Sequence, residues 1–311
     1  MGTALCCQLT LAQGYPSKPV RLVLGYAPGG VADILARLVA QKMSDSLGQA
    51  VVVDNRPSAG GIVAGETVAK ADPDGHTLLF MNSGNALSTA LFKKLPFDAV
   101  RDFEPITTLG AIDFVVLVDK SSDIVDLKDF LTKATAHPAK YNIGTVNVGS
   151  GQHMSATLFK SLTGLTTPII PYKTTPSLFS ALKSKEIDIV FEVASPALGL
   201  LRSGEIRAIA TSSSKRSATL PNVPTLLESG VKEYDLAAWN GLAAPAKTPK
   251  AIVDRLNREV NLVLAQADVR RRFQELGIEP RGGTPEDLRQ LLASEIQKWT
   301  NLVTTLNIEK Q

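Results

Sequence analysis

The run VRLVLGYAPGGVAD, Val20 to Asp33, changes its periodicity halfway along. Val20 to Tyr26 is a continuous apolar, β-rich run, the pattern of a strand buried on both faces. Ala27-Pro28-Gly29-Gly30 is a turn, and Val31, Ile34, Leu35, Leu38 and Val39 then fall at helical spacing up to Leu47, before Gly48. Working outward, Val51 to Val53 reads as a second strand closed by Asp54-Asn55-Arg56-Pro57. Gly60-Gly61 opens a second helix through Ala69, and Thr77 to Met81 is a third strand. A β-α-β-α-β order of this kind predicts an α/β fold with a parallel sheet and helices on both faces.

Downstream the alternation continues. Strands are predicted at Phe114 to Val118, Tyr141 to Thr145, Thr167 to Tyr172, Asp188 to Val193 and Arg207 to Thr211. Helices are predicted at Leu127 to Thr135, His153 to Leu162 and Ser177 to Leu182. The last third is helical: Thr248-Pro249 offers a capping hydroxyl followed by proline, and Thr284-Pro285-Glu286-Asp287 offers the same with a capping-box acid. Ile252, Leu256, Val260, Val263 and Leu264 line one face of the first of these helices. Leu288, Leu291, Leu292, Ile296, Trp299, Leu302, Val303 and Leu306 line the second.

The 311 residues are enough for two ordinary domains. A hydrophobic fraction of 44% and a charged fraction of 20% are those of a globular protein, and 33 basic against 30 acidic residues leave a net charge of +3. The densest basic cluster, Arg270-Arg271-Arg272, sits in a helical pattern as a solvated face, so nucleic-acid binding has little support. Cys6 and Cys7 are the only cysteines, which removes a disulfide framework, a thiolate zinc site and a cysteine nucleophile from the rest of the chain. No histidine pair has ligand spacing, so neither a metal nor a cofactor is expected. Residues 1–14, MGTALCCQLTLAQG, read as the tail of a secretory signal ending at Ala12-Gln13-Gly14, or as a leader.

Three loops could carry chemistry. Tyr26, Ala27, Pro28, Gly29 and Gly30 lead from a strand into a helix whose first N–H groups lack internal partners, a natural seat for a carboxylate. The same residues could simply be a tight turn, with Asp33 as a first-turn acid. Asn82-Ser83-Gly84-Asn85 reads as a polar loop beyond the third strand, where parallel sheets bind ligands, or as a plain turn. Asn147-Val148-Gly149-Ser150-Gly151-Gln152-His153 is the third. Ser150 and His153 invite a hydrolase reading, but residues 148 to 152 read V-G-S-G-Q and not G-x-S-x-G, so a helix cap or a ligand donor is simpler. Asp188 and Glu192, four apart on one strand, could form an acid/base pair, or Glu192 could stand alone at the strand end facing a ligand. Lys173 is a basic residue placed near an anion, or a solvated lysine.

Taken in order, a series of motifs resembles the substrate-binding proteins of tripartite tricarboxylate transporters, the Bug family. The series runs through Tyr15-Pro16-Ser17-Lys18-Pro19, Ala27-Pro28-Gly29-Gly30 with Asp33, Val53-Asp54-Asn55-Arg56 and Ala71-Asp72-Pro73-Asp74-Gly75. It continues through Asp102-Phe103-Glu104-Pro105, Pro171-Tyr172-Lys173, Leu220-Pro221-Asn222-Val223-Pro224-Thr225 and Ala244-Pro245-Ala246. The resemblance covers Tyr15 to about Lys298. It implies a two-domain periplasmic-binding-protein fold of the type II-like kind, with a ligand cleft between domains. Domain 1 would comprise residues 15–113 plus 239–311 and domain 2 residues 114–238, with crossings near Ala111 to Val116 and Leu236 to Asn240.

It further implies an exported, periplasmic, monomeric protein without enzymatic activity. Such a protein captures a small carboxylate (a di- or tricarboxylate, an amino acid or an aromatic acid) by domain closure and delivers it to the membrane permease subunits of a tripartite transporter. A sensor for a membrane receptor is the alternative role. Carried over by position, ligand contacts would come from Tyr26, Ala27, Pro28, Gly29, Gly30, Asp33, Ser83, Gly84 and Asn85, and from Gly149, Ser150, His153 and Glu192. The chain departs from the family pattern in three places: Tyr26 stands for phenylalanine, Thr174 for glycine, and Glu192-Val193 for Asp-Asn. The last lengthens an acid by one methylene and removes an amide.

Overall fold

The computed structural model describes residues 14–310. The signal reading of residues 1–14 and the Cys6-Cys7 pair therefore lie, Gly14 apart, outside the described residues. The chain divides into two compact units. The first runs up to Gly110 and takes in Trp239–Phe273 and the stretch from Pro280 onward; the second is Ala111–Ala238 with Gln274–Glu279.

The first unit is built on strands β1 (Val20–Leu24), β2 (Val51–Asn55) and β3 (Thr77–Asn82), with β1 parallel to both neighbours. Val20, Leu22, Val23 and Leu24 are wholly buried, as the uninterrupted apolar run requires of a strand covered on both faces. Helix α1 (Val31–Leu47) packs on β2, and α2 (Ile62–Ala69) packs on β1 and β3. The first strand stops at Leu24, two residues short of the expected end. Gly25 explains why. A Cβ there would lie 2.7 Å from the Gly61 Cα, so the chain turns where two backbones touch.

Two long strands differ from the expected pattern. β4 (Phe103–Asp119) is 17 residues long, where only Phe114 to Val118 carried a clear strand signal, and β9 (Ala237–Pro245) had none. β9 runs antiparallel to β3, with Phe80 opposite Leu242. The sheet of the first unit is thus mixed, and the parallel order holds only for β2-β1-β3. The unit boundaries fall inside both long strands, at Gly110/Ala111 and Ala238/Trp239.

The first unit also holds α3 (Ser83–Leu91), α8 (Lys250–Ala265), most of α9 (Ala267–Glu275) and α10 (Pro285–Thr305), with α3 packed along α10. Thr284 caps α10 through a full capping box with Asp287, as its sequence predicts. Thr248 does not cap α8: its hydroxyl donates to the Pro245 carbonyl at 2.7 Å, and Pro249 takes the cap position.

In the second unit, β5 (Ile143–Val146) lies parallel to β6 (Ile169–Tyr172) and β7 (Ile189–Val193). The second half of β4 runs antiparallel to β7 and to β8 (Ile206–Thr211). Helices α4 (Leu127–Ala136), α5 (Gly151–Thr163), α6 (Thr175–Lys183) and α7 (Ala194–Arg202) surround this sheet. Phe159 sits between Phe130 and Phe191, with ring centroids 6.4 and 5.2 Å apart. Leu117, Leu178, Leu182, Ile187, Val190 and Ile206 belong to a second buried cluster of the unit.

Candidate functional site

The expected ligand residues fall at the carboxyl ends of the parallel strands, in two sets, one in each unit. In the first unit, residues 26–30 are exposed between β1 and α1. Gly29 has φ +88°, a value that a side chain strains, although a Cβ there would meet nothing within 4 Å. Gly30 is the N-cap of α1 and supplies no side-chain bond. The N–H groups of Val31, Ala32 and Asp33 consequently donate to no acceptor among the described residues. They carry the positive end of a 17-residue helix, which favours an anion.

Asp33 is buried and fully engaged. Its Oδ2 accepts from the Gly29 N–H and from Arg37 Nε, both at 3.0 Å, and its Oδ1 accepts from Asn55 Nδ2 at 2.8 Å. The Arg37 bond above all, with those from Gly29 and Asn55, holds this carboxyl down at about 2 against the desolvation of burial. Asn55 also donates to the Tyr26 carbonyl at 3.0 Å. Asp33 therefore braces the loop that would receive a ligand. Its spacing to Arg37, four residues on, was open to reading in the sequence; the long-range bond to Asn55 was not.

Asn82-Ser83-Gly84-Asn85 is the start of α3 and not a loop. Asn82 is its cap, accepting from the Gly84 N–H at 2.7 Å, while the Asn82 N–H donates to Asn85 Oδ1 at 2.9 Å. Asn85 is buried within this cap, and Ser83 keeps a half-buried hydroxyl that bonds to no other described group. The Tyr26 hydroxyl donates to Asn82 Oδ1 at 3.1 Å, joining the turn after β1 to the cap of α3.

In the second unit, Gly149 and Ser150 turn the chain from β5 into α5. Ser150 Oγ accepts from the His153 N–H at 3.1 Å and donates to the Val146 carbonyl at 2.8 Å. Ser150 and His153 thus meet through a helix cap and not through the imidazole. The ring Nδ1 is buried without a hydrogen-bond partner among the described residues, and burial pushes its pKa down, favouring the neutral imidazole. Val148, beside them, is 65% exposed.

Glu192 is the last residue but one of β7 and is wholly buried. Oε1 accepts from Gln152 Nε2 at 2.5 Å and from the Val193 N–H at 2.8 Å; Oε2 accepts from the Thr175 hydroxyl at 2.8 Å. Desolvation raises its pKa, opposed by these three bonds. Asp188 precedes β7 and accepts from the Asn142 N–H at 2.7 Å, at the other end of the strand. The structure does not bring Asp188 and Glu192 together, and Lys173 is exposed. Thr175 carried no sequence signal, because its partner stands 17 residues away on another element. Among the described residues, no group of acids, histidines and cysteines could hold a metal, and no helix is long and apolar enough to cross a membrane.

Residues 35–308 match the family described as the tripartite tricarboxylate transporter family receptor, TctC. The chain is similar to the periplasmic binding protein BugD, at 30% identity over 96% of this chain and 100% of that one, with a TM-score of 0.79. It is similar to MatC of Rhodopseudomonas palustris, solved with bound malate, at 33% identity over 93% and 100% of the two chains and a TM-score of 0.78. It is also similar to Rpa4515 of R. palustris, solved with adipate, at 32% identity over 96% and 100% and a TM-score of 0.82. Its architecture is the two-domain α/β fold of periplasmic binding proteins, and the chain belongs to the tripartite tricarboxylate transporter family of receptors.

Proposed function

We propose that this protein is an extracytoplasmic solute receptor that captures a small carboxylate by domain closure and delivers it to the permease of a tripartite transporter, without chemistry of its own. The observation that carries the reading is the amino end of α1. A glycine cap leaves the N–H groups of Val31, Ala32 and Asp33 unspent, while Asp33 and Asn55 hold the loop in front of them. A carboxylate there would gain charge-assisted bonds to backbone donors without an arginine clamp. Malate and adipate bound to two relatives support this class of ligand. Periplasmic residence is supported by the relative BugD.

A thermal-shift screen against small carboxylates, amino acids, aromatic acids and neutral sugars tests the reading. A ligand that binds only the folded state raises Tm by mass action. A rise with one carboxylate class, abolished in Gly30→Glu, is the expected outcome. A rise with sugars alone would overturn it.

A further inference from the structure

Glu192 is an acid wholly buried in the second unit, near the carboxyl end of β7, and its hydrogen-bond donors are all neutral. Oε1 accepts twice, from Gln152 Nε2 on α5 at 2.5 Å and from the Val193 N–H at 2.8 Å. Oε2 accepts once, from the hydroxyl of Thr175, the first residue of α6, at 2.8 Å. The two nitrogens only donate, whereas a hydroxyl can donate or accept. When Oε2 takes a proton, the Thr175 hydroxyl can turn and accept from it, while Oε1 keeps both of its donors. All three contacts therefore suit the neutral acid as well as the ionised one.

The surroundings give the ionised form no opposite charge. The elements packed on β7 carry His153 and Lys160 on α5, Lys183 on α6, Arg202 on α7, and Asp113 and Asp119 on the adjoining half of β4; Tyr172 and Lys173 precede α6, and β5 carries no titratable group. None of these bonds to or ion-pairs with Glu192, and Lys183 is engaged by Glu205. Desolvation, opposed by the three bonds, raises the Glu192 carboxyl above its ordinary value, while burial favours the neutral imidazole of His153. At the same edge the N–H groups of Gly151 and Gln152, which open α5, donate to no acceptor among the described residues. Gln152 thus turns its side chain to Glu192 and leaves its own N–H unspent, so an anion on that N–H would stand one side chain away from the buried acid.

We infer that Glu192 is a proton-binding site of the folded protein, and that an anion captured at the carboxyl edge of the second unit is taken up together with a proton on Glu192. The identity of that anion rests on the carboxylate reading above; the groups involved belong to the second unit alone. The proton comes from solvent and forms the Oε2–H bond, and the Thr175 oxygen becomes its acceptor. An arriving carboxylate disfavours a second negative charge behind the helix start, so the neutral acid is the form that coexists with it. Glu192 acts through its protonation state, without touching the ligand.

Isothermal titration of malate and adipate into the wild type, Glu192→Gln and His153→Gln tests this, between about pH 5 and 8 and in pairs of buffers that differ in ionisation heat. The heat difference between buffers counts the protons taken up with the ligand, and the ligands' own titration is common to all three proteins. Glutamine reproduces the neutral acid, accepting through its oxygen and donating to Thr175, so this variant is expected to fold. As the pH rises, wild-type affinity is expected to fall relative to Glu192→Gln by about tenfold or more across the range, the scale of one charge contact at a partly solvated site. The wild type and His153→Gln are expected to take up more protons than Glu192→Gln. Equal pH dependence and equal proton counts in the wild type and a folded Glu192→Gln overturn the inference. Loss of the excess uptake in His153→Gln overturns it too, since the proton would then sit on the imidazole. A wild type that takes up no proton beyond those the ligand itself exchanges overturns it even if Glu192→Gln does not fold. No binding of either carboxylate, with a neutral sugar binding instead, would fail the carboxylate reading itself, and the absence of any carboxylate heat sets this outcome apart from the others.

Discussion

The hydroxyl of Tyr26 donates to Oδ1 of Asn82 at 3.1 Å, so the turn after β1 is tied to the cap of α3. The turn and the helix cap lie at the carboxyl edge of neighbouring parallel strands, and the bond fixes one against the other. Tyr26→Phe keeps the ring and the Asn82 cap but removes this donor. It is expected to cost about 0.5–1.5 kcal/mol, the net worth of one hydrogen bond, measured by urea unfolding.

Asp33 should make stability depend on pH at the acid end. Its carboxyl is held at about 2, below the ordinary 3.8. A lowered carboxyl stabilises the fold above the ordinary range, and that contribution is lost as the pH falls through the folded value. Asp33→Asn is expected to lose on the order of 1–2 kcal/mol near neutral pH, at the low end in high salt because Arg37 is half exposed and screened. The variant should also lose the stability difference the wild type shows between weakly and strongly acidic solution. Unfolding midpoints compared at both conditions check this.

Two adjacent glycines should respond differently. Gly29 lies at φ +88°, whereas Gly30 lies at φ −79° with its Cβ direction open. Gly29→Ala is expected to cost about 1–2 kcal/mol through strain alone. Gly30→Ala should leave stability within about 0.5 kcal/mol. Thermal unfolding of the two variants side by side separates them, and equal losses would argue against the loop geometry.

Ser150 holds both a backbone N–H and a backbone carbonyl. Ser150→Ala leaves α5 without its cap and is expected to destabilise the protein by about 1–2 kcal/mol. If Ser150 were a nucleophile, the same change would abolish a turnover without this loss of stability. Calorimetry of the variant, together with an esterase assay on the wild type, decides between the two roles.

Sequence alone determined the elements whose causes are local. The 3.6-residue spacing of α1 up to Gly48 and the Thr284-Asp287 capping box each depend on residues a few positions apart and are found as read; the apolar run from Val20 forms a buried strand that ends at Leu24, two residues before the expected Tyr26. The candidate loops were legible for the same reason, since glycine, serine and asparagine between a strand and a helix carry their own backbone chemistry. Tertiary structure decided what those loops' side chains do. Asp33 is engaged by Asn55, 22 residues away, and Glu192 by Gln152, 40 residues away, so both acids serve the protein's own backbone geometry. It also decided the mixed sheet, because β9 lies against β3 only after the 154 intervening residues, 83–236, have folded back. Pairing between distant segments depends on burial and on donors supplied by other elements, and no spacing along the chain encodes it.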